Sequence, residues 1–171
     1  MKLLLILFSI LTPFNSYGEV DLDMPQYKYT LWYENGQKKE EHYYKDEKLV
    51  GTKTVWYEGG QKHIEINYID GKLNGKYTWW FENGLISNVS YYKDDKLDGM
   101  FSVWNEDGQK ISTENFKEGK LDGKRIIWNE NGQMMSVENY KEGKNTYTLW
   151  YENGQKKEEH YYKDEKLVGT K

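Results

Sequence analysis

Apolar and polar positions alternate along this chain in short runs, and each run stops at a turn signal. Residues 29–34 (YTLWYE) are rich in aromatic and β-branched types, and Asn35-Gly36 follows at once. That dipeptide is the strongest short-range hairpin signal, because both residues tolerate the positive φ of a type I′ turn. Residues 37–44 read as the return strand and end on Tyr43-Tyr44. A second turn at Lys45-Asp46, then Leu49 and Gly51, leads onward. The first turn recurs as Gly59-Gly60, Asn83-Gly84, Asp107-Gly108, Asn131-Gly132 and Asn153-Gly154; the second recurs as Asp70-Gly71, Glu118-Gly119 and Glu142-Gly143. No segment sustains a 3.6-residue period, so a helical reading fails.

The pattern is a repeat. Residues 29–53 return without a change as residues 147–171. Trp32, Trp56, Trp80, Trp104 and Trp128 are each 24 residues apart, and Trp150 follows after 22. Six units are predicted, at 29–52, 53–76, 77–100, 101–124, 125–146 and 147–171. Two strands per unit give an all-β fold, an elongated single meander sheet of about six tandem β-hairpins. At ~4.8 Å per strand it would run roughly 55 Å. A fixed period of this size marks units that bury too little alone and stack for stability. The junction Lys144-Asn145-Thr146 lacks the Leu-x-Gly seen at Leu121-Asp122-Gly123 and is two residues short. With the verbatim copy behind it, it reads as a recent duplication.

Two aromatic positions recur and are the structural residues of the unit. One is the tryptophan itself. The other lies twelve residues on: Tyr44, Tyr68, Tyr92, Phe116, Tyr140 and Tyr162. The position before each tryptophan is always apolar: Leu31, Val55, Trp79, Val103, Ile127 and Leu149. A two-residue turn would put Trp32 and Tyr44 on opposite faces. A three-residue loop with a bulge at Gly36 would put them on one face. The bulged register is the expectation, since the two aromatics would then form one ladder.

The start of the chain differs from the rest. Lys2, the apolar run from Leu3 to Leu11, Pro13 and the small residues Ser16 and Gly18 read as a signal peptide over 1–18, cleaved after Gly18. The run is about half of the roughly 20 residues that span a bilayer, so no integral membrane segment is expected after cleavage. Residues 19–28, with Pro25 and scattered acids, read as a linker. Export, to a periplasmic or secreted location, is the expectation. There are no cysteines, hence no disulfide and no thiolate metal site. The formal net charge of −4 becomes −5 when Lys2 is removed. Acids and bases are interspersed, without the cationic stripe that nucleic acid requires.

The run W-Y-E-N-G-Q-K followed by Y-K-D-G-K-L-x-G resembles the bacterial MORN-repeat variant. The resemblance covers residues 29–171, and it implies a sheet of successive hairpins. Many bacterial members are YwqK-like antitoxins, which implies a protein partner such as a toxin. The motif marks scaffold positions and brings no catalytic residue with it.

Candidate chemistry is sparse. His42 and His160 are one position in identical copies, far apart in an extended array, so they make no metal site with His63. Glu34, Glu58, Glu82, Glu106, Glu130 and Glu152 recur beside the turn, whereas a catalytic carboxylate pair would be asymmetric. No catalytic, cofactor-binding or metal-binding residue is predicted. The expected function is a non-enzymatic exported scaffold for protein–protein interaction, antitoxin- or immunity-like, with a toxin or envelope protein as partner. A cell-wall or carbohydrate-binding module of aromatic cages is the alternative.

Partner choice would be written where the units differ. The residue after each tryptophan reads Tyr33, Tyr57, Phe81, Asn105, Asn129, Tyr151; the seventh after it reads Lys39, His63, Ser87, Ile111, Met135, Lys157. Units three to five are also richer in apolar residues, including Leu85, Val89, Ile111, Met134 and Met135. Better coverage of interior units between solubilising ends is the reading preferred over a binding patch. The last strand, expected at residues 158–162, would present an open edge for self-association or for an added partner strand.

Overall fold

The computed structural model describes residues 19–21, 27–141, 144–151, 153–163 and 166–171. The expected signal segment, residues 1–18, lies outside them. The strands in chain order are β1 (Glu19–Asp21), β2 (Tyr27–Trp32), β3 (Lys38–Lys45), β4 (Lys48–Trp56), β5 (Lys62–Ile69), β6 (Lys72–Trp80) and β7 (Ile86–Lys93). They continue as β8 (Lys96–Leu97), β9 (Gly99–Trp104), β10 (Lys110–Lys117), β11 (Lys120–Trp128) and β12 (Met134–Lys141). The last three are β13 (Lys144–Trp150), β14 (Lys156–Lys163) and β15 (Lys166–Thr170). All belong to one open antiparallel meander in which spatial order follows chain order; β8 and β9 are two pieces of one rung against β7.

Two expectations about the margins are corrected. Glu19–Asp21, read as linker, is a strand with Val20 opposite Tyr29, and β2 already begins at Tyr27. Residues 158–162 are not an edge. They lie in β14, which β13 pairs on one side and β15 on the other.

The two turns of each unit differ in type. At the Asn-Gly end the Tyr33 amide donates to the Gln37 carbonyl at 2.8 Å, and the Gly36 amide donates to the Tyr33 carbonyl at 3.0 Å. This closes a three-residue loop in which Gly36 alone takes the left-handed conformation, with φ +82°. The type I′ turns stand at the other end. There two consecutive residues have positive φ, as in Asp46 (48°) and Glu47 (64°), or Asp70 (50°) and Gly71 (82°).

The loop bulge at Gly36 is therefore as expected, yet its predicted consequence fails. Leu31 pairs with Glu40 while Trp32 pairs with Lys38, so Lys39 is a second extra residue on β3. One bulge shifts the alternation by one position and the next shifts it back. Tyr27 and Tyr29 stand opposite Tyr44 and His42 on one face; Thr30 and Trp32 stand opposite Glu41 and Lys38 on the other. The same shift recurs at His63, Ser87, Ile111, Met135 and Lys157. Trp32, Trp56, Trp80, Trp104, Trp128 and Trp150 thus share one face, and Tyr44, Tyr68, Tyr92, Phe116, Tyr140 and Tyr162 share the opposite one. The single ladder is two ladders.

A third irregularity explains the 24-residue period. In Leu-x-Gly the chain carries two extra residues: Glu114 faces Arg125 and Phe116 faces Leu121, with Gly123 at φ +103°. The Asn115 side chain donates to the exposed Lys124 carbonyl at 3.1 Å, as Asn67 does to Lys76 at 2.7 Å. Where the motif is missing, β12 and β13 pair without a shift from Ser136↔Leu149 to Lys141↔Lys144. Removing two residues leaves the facing of every side chain unchanged, which is how the 22-residue unit fits the array.

The sheet is a single layer, so burial is shared between two half-hydrated faces. Val89, 8% exposed, is the sole buried hydrophobic residue among the described residues. The tightest sites on the tryptophan face are the small hydroxyl residues two before the ring: Thr30, Thr78, Ser102 and Thr148.

Candidate functional site

The six repeating tryptophans are half-buried, and four of them are partly covered by the chain's own cations. Lysine ammonium groups stand over Trp56, Trp80, Trp104 and Trp128, from Lys38, Lys62, Lys110 and again Lys110, at 5.2 to 5.9 Å from the ring centres. On the opposite face the second set of aromatics pairs with the strand before it. Tyr27 stacks on Tyr44 at 5.2 Å, Tyr77 meets Tyr92 at 6.0 Å and Phe101 meets Phe116 at 6.5 Å. Tyr140 and Tyr162 line one shallow cleft with Tyr147. Apart from that cleft the predicted aromatics are spread along the array, and among the described residues no one site gathers the set.

The tyrosine face carries the histidine chemistry. His42 packs on Tyr29 at 4.8 Å and edges onto Tyr44 at 5.1 Å. Its Nδ1 lies 2.9 Å from Glu40, which also pairs with Lys53 at 2.7 Å. Burial holds the imidazole below its ordinary value, and Glu40 opposes that shift. Burial lowers His63 as well. Among the described residues no three His, Asp or Glu side chains gather as they would around a metal ion.

The residues that vary between units come together, and here the sequence reading missed a contact. The residue after each tryptophan and the bulge residue six positions on share the tyrosine face beside the three-residue loop. Lys39 Nζ sits 5.4 Å over the Tyr33 ring, His63 stacks on Tyr57 at 4.0 Å, and Lys157 lies 5.8 Å over Tyr151. The ring also ties units to one another. Tyr33 Oη donates to the Trp56 carbonyl and Tyr57 Oη to the Trp80 carbonyl, both at 2.8 Å. The pairing was available in the sequence as a joint change, Tyr with Lys or His in units one and two but Asn with Ile or Met in units four and five. Only the unexpected second bulge shows that the two positions touch.

Exposed apolar side chains occur in the interior units and outside them. Trp79, Leu85, Ile111 and Met135 are exposed in units three to five, as are Tyr91, Met100 and Met134, while Ile69, Tyr151, Leu167 and Val168 are exposed beyond those units. The expectation of better-covered interior units fails for these side chains, because a one-layer sheet has no element to cover them.

Four segments of the chain match one family model, at residues 28–46, 49–70, 121–142 and 145–164. The match is to the MORN repeat variant. The MORN-variant segments fall on the first two and last two units and leave residues 71–120 unmatched, although β6 to β10 continue the same hairpin geometry. MORN repeats are commonly found in protein-interaction or membrane-binding proteins, and the module is generally non-catalytic. No curated protein matches the chain. Among the described residues no helix is long and apolar enough to cross a membrane.

Proposed function

We propose that the chain is a non-catalytic, exported scaffold that holds a partner protein on units three to five. The observation that carries this reading is the band of exposed Trp79, Leu85, Ile111 and Met135 on one array. Large exposed apolar groups in neighbouring units mark an interaction surface rather than chance exposure. Most of the band falls in residues 71–120, outside the MORN-variant matches, as expected of a stretch shaped by its partner rather than by the scaffold. The partner is a toxin or an envelope protein, bound in the manner of a bacterial antitoxin or immunity protein. The lysines over the tryptophans disfavour aromatic cages for choline or sugars, since the chain's own ammonium groups take that position.

Cross-linking in the native host, followed by mass spectrometry, tests the reading. Cross-links to one protein should concentrate in residues 77–146 of a chain that begins at Glu19. Cross-links confined to unit one, or a cytosolic chain that retains Met1, would refute it. Hydrolysis abolished by one point substitution would refute the non-catalytic part.

A further inference from the structure

The slot beside the three-residue loops is filled differently along the array, so the chain supplies its own comparison. In units one and two a tyrosine ring lies along the next hairpin, its hydroxyl donates to a tryptophan carbonyl, and the bulge residue covers the ring. In unit three Phe81 keeps the ring and lacks the hydroxyl. In units four and five Asn105 and Asn129 are too short to reach across, and both turn back into their own loops. Asn105 Nδ2 donates to Gln109 Oε1 at 3.0 Å, and its Oδ1 accepts from the Gln109 amide at 2.8 Å. Between these loops lies a cleft of about 520 Å³, lined by Asn105, Lys110, Ile111, Trp128, Asn129 and Met135 among others. That volume is within the range of ligand pockets. The bulge residues Ile111 and Met135, whose counterparts cover a ring in units one and two, are here 41% and 49% exposed. Trp128, 23 residues after Asn105, holds the place of Trp56 relative to Tyr33, and no tyrosine of this chain stands at the position that would reach its carbonyl.

We propose that this cleft binds a tyrosine side chain of the partner protein. The ring takes the place that Tyr33 and Tyr57 occupy in their own units, against Ile111 and the polarizable Met135. The phenol donates to the Trp128 carbonyl. Lys110 and Glu130 on the wall offset each other in charge, which suits a neutral phenol better than an ionic group. The claim that the tyrosine comes from a protein rests on the scaffold reading, whereas the chemistry of the cleft can be tested without a partner.

The test is an NMR titration of the full chain with N-acetyl-tyrosinamide and, separately, N-acetyl-phenylalaninamide. The tyrosine probe should move the Ile111 and Met135 methyl groups and the Asn105 and Asn129 side-chain amides. The phenylalanine probe should bind about two- to tenfold more weakly, the worth of one neutral hydrogen bond. Asn105→Tyr, which restores the residue of units one and two, should abolish the response. If that variant does not fold, Met135→Trp, whose ring fills the cleft from its exposed wall, should abolish it instead. No response, equal binding of both probes, or a response that survives in the folded variant would overturn the proposal. A partner protein held undiminished by Asn105→Tyr would overturn the docking role of the cleft and leave the scaffold reading standing. Tyrosine-probe binding with partner cross-links confined to unit one would refute the scaffold reading, and with it the protein source, while upholding the cleft's chemistry.

Discussion

Deleting residues from the Leu-x-Gly bulge of unit four should show that the facing of side chains, rather than the length of the unit, stabilises the array. Removing Asp122 and Gly123 together joins Leu121 to Lys124. Phe116↔Leu121 then runs directly into Glu114↔Arg125, the unbroken ladder that β12 and β13 already form. What is lost is the Asn115 bond to the Lys124 carbonyl, so the cost should be about 1 kcal/mol or less. Removing Gly123 alone shifts the strand by one place and sends Trp128 and Ile126 to the wrong face. A ring of ~150–250 Å² at ~25 cal/mol per Å² amounts to ~4–6 kcal/mol when fully buried. Trp128 is half-buried, which brings its share to about 2–3 kcal/mol, and Ile126 adds about 1 kcal/mol. The shorter deletion should therefore destabilise by about 2–4 kcal/mol more than the longer one, a large part of the stability of an ordinary domain. Urea denaturation followed by tryptophan fluorescence and circular dichroism measures both. Equal losses, or a smaller loss for the single deletion, would refute the reasoning.

Other perturbations separate the remaining devices. Gly99→Ala forces a side chain into φ +122° with its Cβ 3.1 Å from that of Tyr91, and should cost about 2–3 kcal/mol. Gly51→Ala, at φ +70° with open space around it, should cost about 1 kcal/mol, so equal melting shifts would count against the close approach at Gly99. Tyr57→Phe removes the bond to the Trp80 carbonyl and should cost about 1 kcal/mol by chemical denaturation; no loss would show that the units are not tied there. His42 and His63 are held low by burial, so the folded chain binds fewer protons than the unfolded one. Stability is then full above about pH 6.5 and declines as pH falls towards the folded values. Denaturation at pH 7 and pH 5 should show that decline, and His42→Gln should reduce it; a stability indifferent to that substitution would remove His42 as a cause.

The hairpin array was legible in the sequence because its punctuation is local. A glycine in a loop, an aspartate before a glycine and a tryptophan every 24 residues each report on their own few neighbours. The faces were not legible. They depend on how many extra residues each strand carries, and Lys39 has no composition that marks it as a bulge. Seen from its letters it is one more solvated lysine. The slot at Asn105 was hidden for the same reason. Both positions were visible as variable, but their contact depends on a register shift that leaves no local trace. Glu19–Asp21 was missed because three residues beside Pro25 carry too little pattern to read as a strand.

The single-layer sheet has a thermodynamic consequence. Heat capacity and denaturant sensitivity both scale with the surface that unfolding exposes, and here most of the chain is already half in water. Each residue should add less than usual to both quantities, giving a flat stability curve and a broad transition. With each hairpin touching only its neighbours, the array should come apart from its margins inward, a zipper rather than a switch.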